Sequence, residues 1–390
     1  MSDVAVHGSS AQIRTAITAT RSLFAALGVV GGTWGVHIST LKNHYGLSEA
    51  ALSMVLVATA VGALASLSIA GRSIGRFGPR NTAALCSVGL AGTLLLALHW
   101  PGLGWLLAAM VVFGAAQSVY DVAINTEGSA LEVAGGRPIM GSLHGSFSVG
   151  AMVGAGLASA MLHAGVSPAW QLAGAGALVA VWIGVASRWM LPTERTHDGG
   201  PAKVHFAWPR GALLIMGLLI FLGMSSEGVM YDWSVLYLRQ EVHMSHALAA
   251  AGYAAFAASM AVMRFAADGL RARYSERRLL RASGGVAALA MAVVLLSGNP
   301  WVSLVGYAFI GGGLAMVVPI LYSAAGRVPG TTPAAAIAAV SSIGYAGFLV
   351  GPPIIGGIAQ QVSLTWAMGV VVLAAGVLAL SAHHVPEKQG

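Results

Sequence analysis

Apolar residues run in long blocks along this chain, separated by short polar breaks. A block of about 20 such residues is what an α-helix needs to cross roughly 30 Å of hydrocarbon. The blocks predict twelve spans, near 21–40, 49–70, 82–98, 105–130, 139–163, 168–191, 210–238, 246–267, 280–297, 301–325, 334–358 and 365–383. The longest polar break, 193–207, follows the sixth span and is read as a cytoplasmic linker between an N-terminal six-helix bundle, 1–192, and a C-terminal one, 208–390. Residues 1–20 carry Ser9, Ser10, Gln12 and Arg14 and read as a cytoplasmic tail with no cleavable signal.

Composition fits a membrane protein: 57% of the residues are hydrophobic and 8% charged, where a soluble domain carries about 25% charge. The net charge of +7 does not call for nucleic acid. With the N-terminus inside, every one of the 20 Lys and Arg except Lys42 and Arg239 falls on the cytoplasmic side. That is the positive-inside asymmetry, so basic charge sets orientation. Both termini are then expected in the cytoplasm, and a bacterial inner membrane is the expected location. The lone cysteine, Cys86, excludes an internal disulfide and a cysteine-based metal cluster. No cofactor or metal is expected.

The two halves repeat one another. One offset carries Leu47 onto Met244, Arg76 onto Arg273 and Arg80 onto Arg277, and a slightly larger one carries Phe147 onto Phe348 and Gly150 onto Gly351. Two parallel six-helix halves are the pattern of the major-facilitator architecture. The loop after span 2, Gly71-Arg-Ser-Ile-Gly75-Arg76-Phe77-Gly78-Pro79-Arg80, resembles that family's loop signature, although Gly75 stands where the family has an aspartate. The second-half copy, Arg264-Phe-Ala-Ala-Asp268-Gly-Leu-Arg271-Ala-Arg273, keeps an acid and a basic cluster. The resemblance implies that Arg76, Arg80, Asp268 and Arg273 act as cytoplasmic gate latches; setting topology alone is the plainer reading of the arginines.

Further stretches are Asp121-Val-Ala-Ile-Asn125 with Glu132, Gly136-Arg-Pro-Ile-Met140, His144-Gly-Ser-Phe-Ser148, Glu227-Gly-Val-Met-Tyr231-Asp232-Trp233-Ser234 and Gly344-Tyr345-Ala-Gly-Phe348. Together they resemble the MosC-like branch, near the fucose-permease relatives and associated with rhizopine (inositol-amine) metabolism. The resemblance implies an all-α membrane protein of twelve helices in two pseudo-symmetric bundles. Spans 1, 4, 7 and 10 would line a central path.

Acids inside a span cost about 2.5–3.5 kcal/mol each on insertion scales, so those present need a cavity, a partner or a proton. Gln117, Asp121 and Asn125 in span 4 are spaced i, i+4, i+8 and share one helical face. They read as a hydrogen-bonding wall with Asp121 as proton carrier or counter-charge, or else as an interhelical clamp. Glu127 points elsewhere, to a gate or an interface. In span 7, Glu227 and Tyr231 share a face, with Asp232 and Trp233 beyond them. Glu227 reads either as a proton-coupling acid or as half of a fixed salt bridge. His144 in span 5 joins Asp121 and Glu227 as a proton-handling candidate, a structural hydrogen bond being the alternative. Trp34, His37, Gln117, Asn125, Tyr231, Asp232, Trp233 and Tyr345 are the candidate solute contacts.

No Lys or Arg falls mid-span, Arg264 coming closest. An anionic solute would want a positive clamp, so the expected solute is neutral or cationic and polyol- or sugar-like. The expected function is secondary active transport of such a solute, coupled to protons, by alternating access. The alternative is a proton-driven multidrug or cation exporter, disfavoured by the lack of proline in the Gly150-Ala-Met-Val-Gly154 stretch of span 5. No metalloprotease-like or nucleophile–base spacing suggests an enzyme. The expected partners are a small-molecule solute, protons and membrane lipids, and the chain is expected to act as a monomer.

Overall fold

A computed structural model describes residues 10–47, 49–191, 210–244 and 246–386, which form α-helices joined by short turns, with no strand among them. The expected linker, 193–207, lies outside the described residues. The helices are α1 Ser10–His44, α2 Glu49–Leu96, α3 Leu103–Gly135, α4 Met140–His163, α5 Pro168–Ala186, α6 Ala212–Gln240, α7 His246–Arg273, α8 Glu276–Ser297, α9 Pro300–Leu314, α10 Val317–Ala325, α11 Pro333–Gln361 and α12 Leu364–Ser381. Among the described residues, nine stretches are long and apolar enough to cross a membrane by length and composition.

Three boundaries differ from the sequence reading, each for a local reason. Helix α1 begins at Ser10, well inside the expected polar tail. The threonines there satisfy themselves within the helix: the hydroxyls of Thr15, Thr18 and Thr20 donate to the carbonyls of Ala11, Arg14 and Ala16. The loop expected after span 2 shrinks to one break in α2, at Gly78, whose φ of 78° only glycine adopts readily. Pro79 then starts the next helical run with its φ already set. The expected tenth span is two helices, α9 and α10. Pro319 lacks an N–H and its ring crowds the carbonyl four residues back, at Ala315, where the helix breaks.

The chain divides into two compact units, each with its own core. The first comprises Met1–Ile139, Ser146–Ala207 and Thr331–Ala338. In it, α1 and the later part of α4 meet through glycines that leave no room for a side chain. A Cβ on Gly28 or Gly150 would run into the carbonyls of Phe147 or Ala25, and one on Gly154 would sit 2.5 Å from that of Val29. Tyr120 is fully buried and donates to the Leu23 carbonyl at 3.0 Å, tying α3 to α1.

The second unit comprises Met140–Gly145, Trp208–Gly330 and Ala339–Gly390. One of its apolar clusters gathers Phe256, Met291, Tyr307 and Met368 from α7, α8, α9 and α12. Another gathers Ile220, Leu321, Tyr322 and Val340 from α6, α10 and α11. The Tyr307 hydroxyl, buried in the first, donates to the Ser234 carbonyl at 3.3 Å, which satisfies a polar atom that hydrocarbon would not.

Candidate functional site

In the first unit the α3 stripe is present and internally bonded. Asn125, fully buried, donates from Nδ2 to both the Asp121 carbonyl (2.9 Å) and its Oδ1 (3.0 Å). Asp121 is itself buried, and Gln117, one turn away, is half-buried. One further turn along lies Phe113, whose ring meets Trp34 of α1 at 5.3 Å, so Trp34 covers one end of the stripe. The face therefore runs from an aromatic pair through an amide to a carboxylate. His37 is fully buried, with Gln171 of α5 beside its ring and Nδ1 3.4 Å from Thr40 Oγ1.

Two other acids of α3 are framework. Glu127 Oε1 accepts the Leu191 amide at 2.7 Å, and Glu132 Oε1 accepts the Ile139 amide at 2.8 Å. Each satisfies a backbone donor where a helix ends or begins. Glu127 thus holds the chain at Leu191, past the end of α5.

In the second unit the central feature is an ion pair. Arg264 Nη2 of α7 donates to both oxygens of Glu227 of α6, at 3.0 and 3.2 Å, with 5% and 13% of the two side chains exposed. Tyr231 is one turn beyond Glu227. Its ring packs edge-on against Tyr253 (5.9 Å) and Phe256 (5.4 Å), and its hydroxyl reaches the Met260 sulfur at 3.7 Å. Asp232 is exposed, whereas Trp233 is half-buried and packs on the apolar core. Tyr345 is likewise half-buried, against the cluster around Tyr322. His144 is buried in the field of Arg264 and Arg271, its ring 6.0 Å from that of Tyr322. The Tyr322 hydroxyl in turn accepts from Ser341 at 2.8 Å.

The latch candidates separate. Asp268 takes the amides of Gly141 and Ser142 on its two oxygens, 2.8 Å each, so a carboxylate sits at the positive end of α4. Gly141 is required there, since a Cβ would lie 2.7 Å from the Arg264 carbonyl. Arg76 lies against the Phe77 ring at 5.3 Å, and neither it nor Arg80 or Arg273 forms an ion pair among the described residues. A network that sequence reasoning missed stands nearby. Glu276, the first residue of α8 after the capping Ser275, binds Arg271 (3.0 Å) and Arg327 (2.5 Å), and Arg327 also donates to Ser323. The signal was available: a serine followed by an acid is a helix start, and the acid is flanked by a basic cluster.

A model of the Major Facilitator Superfamily matches residues 22–343 of this chain. The chain belongs to that superfamily. This major facilitator is 32% identical over 366 residues to an uncharacterized MFS-type transporter of Yersinia pestis, covering 94% of each chain. It is 32% identical over 364 residues to the membrane protein MosC of Rhizobium meliloti, covering 93% of this chain and 88% of MosC. Among solved structures it resembles the E. coli fucose:proton symporter FucP, with a TM-score of 0.76, 14% identity and coverage of 95% and 98%. The proton:xylose symporter XylE superposes with a TM-score of 0.74, 13% identity and 98% coverage of both chains. Identities this low speak to the fold alone. The protein is thus an all-helical, multi-pass membrane transporter of the major-facilitator fold, related to MosC.

Proposed function

We propose that this protein is a secondary active transporter that moves a small polar organic solute, neutral or cationic and polyol- or sugar-like, together with protons by alternating access. The observation that carries the coupling is the Glu227–Arg264 pair. A charged pair on membrane-spanning helices persists because each partner compensates the other. Protonating Glu227 removes that compensation, so proton uptake and rearrangement of α6 against α7 become one event. FucP and XylE, whose folds this chain shares, are proton symporters by name.

The same pair bears on the charge of the solute. Arg264 is engaged by both oxygens of Glu227. That leaves no positive clamp for an anion, while Asp121 and Asp232 suit a neutral or cationic solute. Asp121, Glu227 and His144 are assigned to the proton. Trp34, His37, Gln117, Asn125, Tyr231, Asp232, Trp233 and Tyr345 are assigned to the solute, and Arg76, Arg80, Asp268 and Arg273 to gating. The halves are taken as 1–192 and 208–390 about the 193–207 linker, in twelve spans, with the protein monomeric in a bacterial inner membrane and both termini cytoplasmic.

The test is a thermal-shift screen of the purified protein against polyols, sugars, amines and drugs, because a ligand stabilises the state it binds. A hit among polyols or amino-polyols, followed by uptake that Asp121→Asn abolishes in a folded protein, is the expected result. Stabilisation by lipophilic drugs alone, with drug resistance in cells that Asp121→Asn removes, would establish the exporter instead.

A further inference from the structure

We infer that the second unit carries a binding site for one anionic phospholipid, seated along α7, α8 and α9 with its headgroup at Arg278 and Arg281. Two apolar cavities, of about 440 and 640 Å³, lie on this surface and share Val286 and Phe309 as walls, so they form one groove. Along α8 the groove extends from Ala282 to Val293. At 1.5 Å per residue that is about 16 Å, close to the roughly 15 Å of hydrocarbon in one leaflet. One acyl chain anchored at the α8 N-terminal end would fill it and stop near Trp301, which lines the far end.

The N-terminal end supplies what a headgroup needs. Arg278 lies one helical turn before Ala282 on the same face, Arg281 flanks it, and both are exposed. The acids nearby are already committed: Glu276 is shared by Arg271 and Arg327, and Asp268 receives the amides of α4. The surplus charge here is therefore positive, and a phosphate complements it. On the positive-inside reading this end faces the anionic inner leaflet.

A third observation fixes the ligand's middle. The groove is apolar except for serines. Ser259 donates to its own helix, at the Phe256 carbonyl. Ser283 is 98% buried and lines the groove, and its hydroxyl has no hydrogen-bond partner among the described residues. A buried hydroxyl without a partner is costly. Ser283 lies five residues beyond Arg278, about 7.5 Å along the axis, where the ester carbonyls of a lipid held by its phosphate would lie. Basic anchor, hydroxyl and leaflet-length groove occur in the order of phosphate, ester and chain.

The experiment is native mass spectrometry of the full chain in detergent, with dioleoyl-phosphatidylglycerol or dioleoyl-phosphatidylcholine added at matched concentration. One phosphatidylglycerol should be retained in preference to phosphatidylcholine. Charge removal at Arg278→Gln and Arg281→Gln should weaken retention about fivefold per arginine. Val286→Trp, a change at a 42% exposed position that fills the groove, should abolish it without loss of monodisperse folded protein. Equal retention of both lipids, or retention indifferent to the arginines, would make the lipid merely annular and overturn the site. Loss with the arginines but not with Val286→Trp would leave a surface charge effect and overturn the groove. A dimer that Val286→Trp dissociates would assign the groove to a second copy. The readout is binding, so it can fail while the transport reading stands, and the reverse.

Discussion

At the scale of single residues, the chemistry depends on charges whose partners are remote in sequence. Glu227 and Arg264 show the problem. The acid stood out because it lies mid-span, but whether it is a proton carrier or half of a salt bridge depends on which helix lies beside it. The arginine lies near the inner end of its span, where spacing gives it no partner. Their pairing places Arg264 beside the acid at 3.0 Å, which no spacing rule discloses. Removing one partner of a buried pair leaves the other charge uncompensated, so Arg264→Gln alone should destabilise the protein by about 3–5 kcal/mol. Glu227→Gln, which leaves a cation stranded, should do likewise. The double variant Glu227→Gln with Arg264→Gln should recover much of that loss, and thermal unfolding of the four proteins in one detergent measures it. Additive losses would mean that the two groups do not act as a pair. The α3 stripe was more legible because i, i+4, i+8 spacing is a local property. What spacing did not show is that Asn125 spends its amide on Asp121. Asn125→Ala should therefore lower turnover by releasing the carboxylate and lower solute affinity by removing a contact; a fall in turnover with affinity unchanged would take Asn125 out of the solute site.

At the scale of helices, the sequence located most elements, because a hydrophobic block is read without knowing its neighbours. It misjudged the ends, where local bonding decides. Threonines that bond back into α1 extend it to Ser10, one glycine replaces an expected loop in α2, and Pro319 divides the expected tenth span. It also left the 52 glycines unranked, since a packing glycine and a lipid-facing one look alike in a sequence. The structure ranks them. Gly150 meets the backbone of α1, while Gly156, six residues on in the same helix, has open space where a Cβ would go. Gly150→Ala must push two backbones apart and should cost at least about 1–3 kcal/mol, the usual range for overpacking. Gly156→Ala should be neutral or slightly stabilising through helix propensity. The comparison of melting temperatures checks both, and equal effects would show that α1 and α4 do not meet at these glycines.

At the scale of the whole molecule, the helical membrane class and the family were legible from block length, repetition and the motifs that carry the resemblance, all of which survive without contacts. Coupling was not, because it is a relation between states. A transporter that carries protons must let solute flux depend on the proton gradient, by reciprocity of linkage. Reconstituted in liposomes with an alkaline lumen, the protein should accumulate its solute above the external concentration, and a protonophore should abolish the gradient of solute. Glu227→Gln removes the group whose protonation releases Arg264, so it should exchange solute across the membrane but fail to concentrate it. Asp121→Asn tests the assignment of the α3 acid to the proton. If Asp121 carries a proton, the variant should behave like Glu227→Gln. If it only binds solute, exchange itself should fall while any remaining flux still follows the pH gradient. Flux through the unaltered protein that ignores the gradient would identify a facilitated-diffusion carrier, in which the Glu227–Arg264 pair serves packing and the acids of α3 and α6 serve recognition alone.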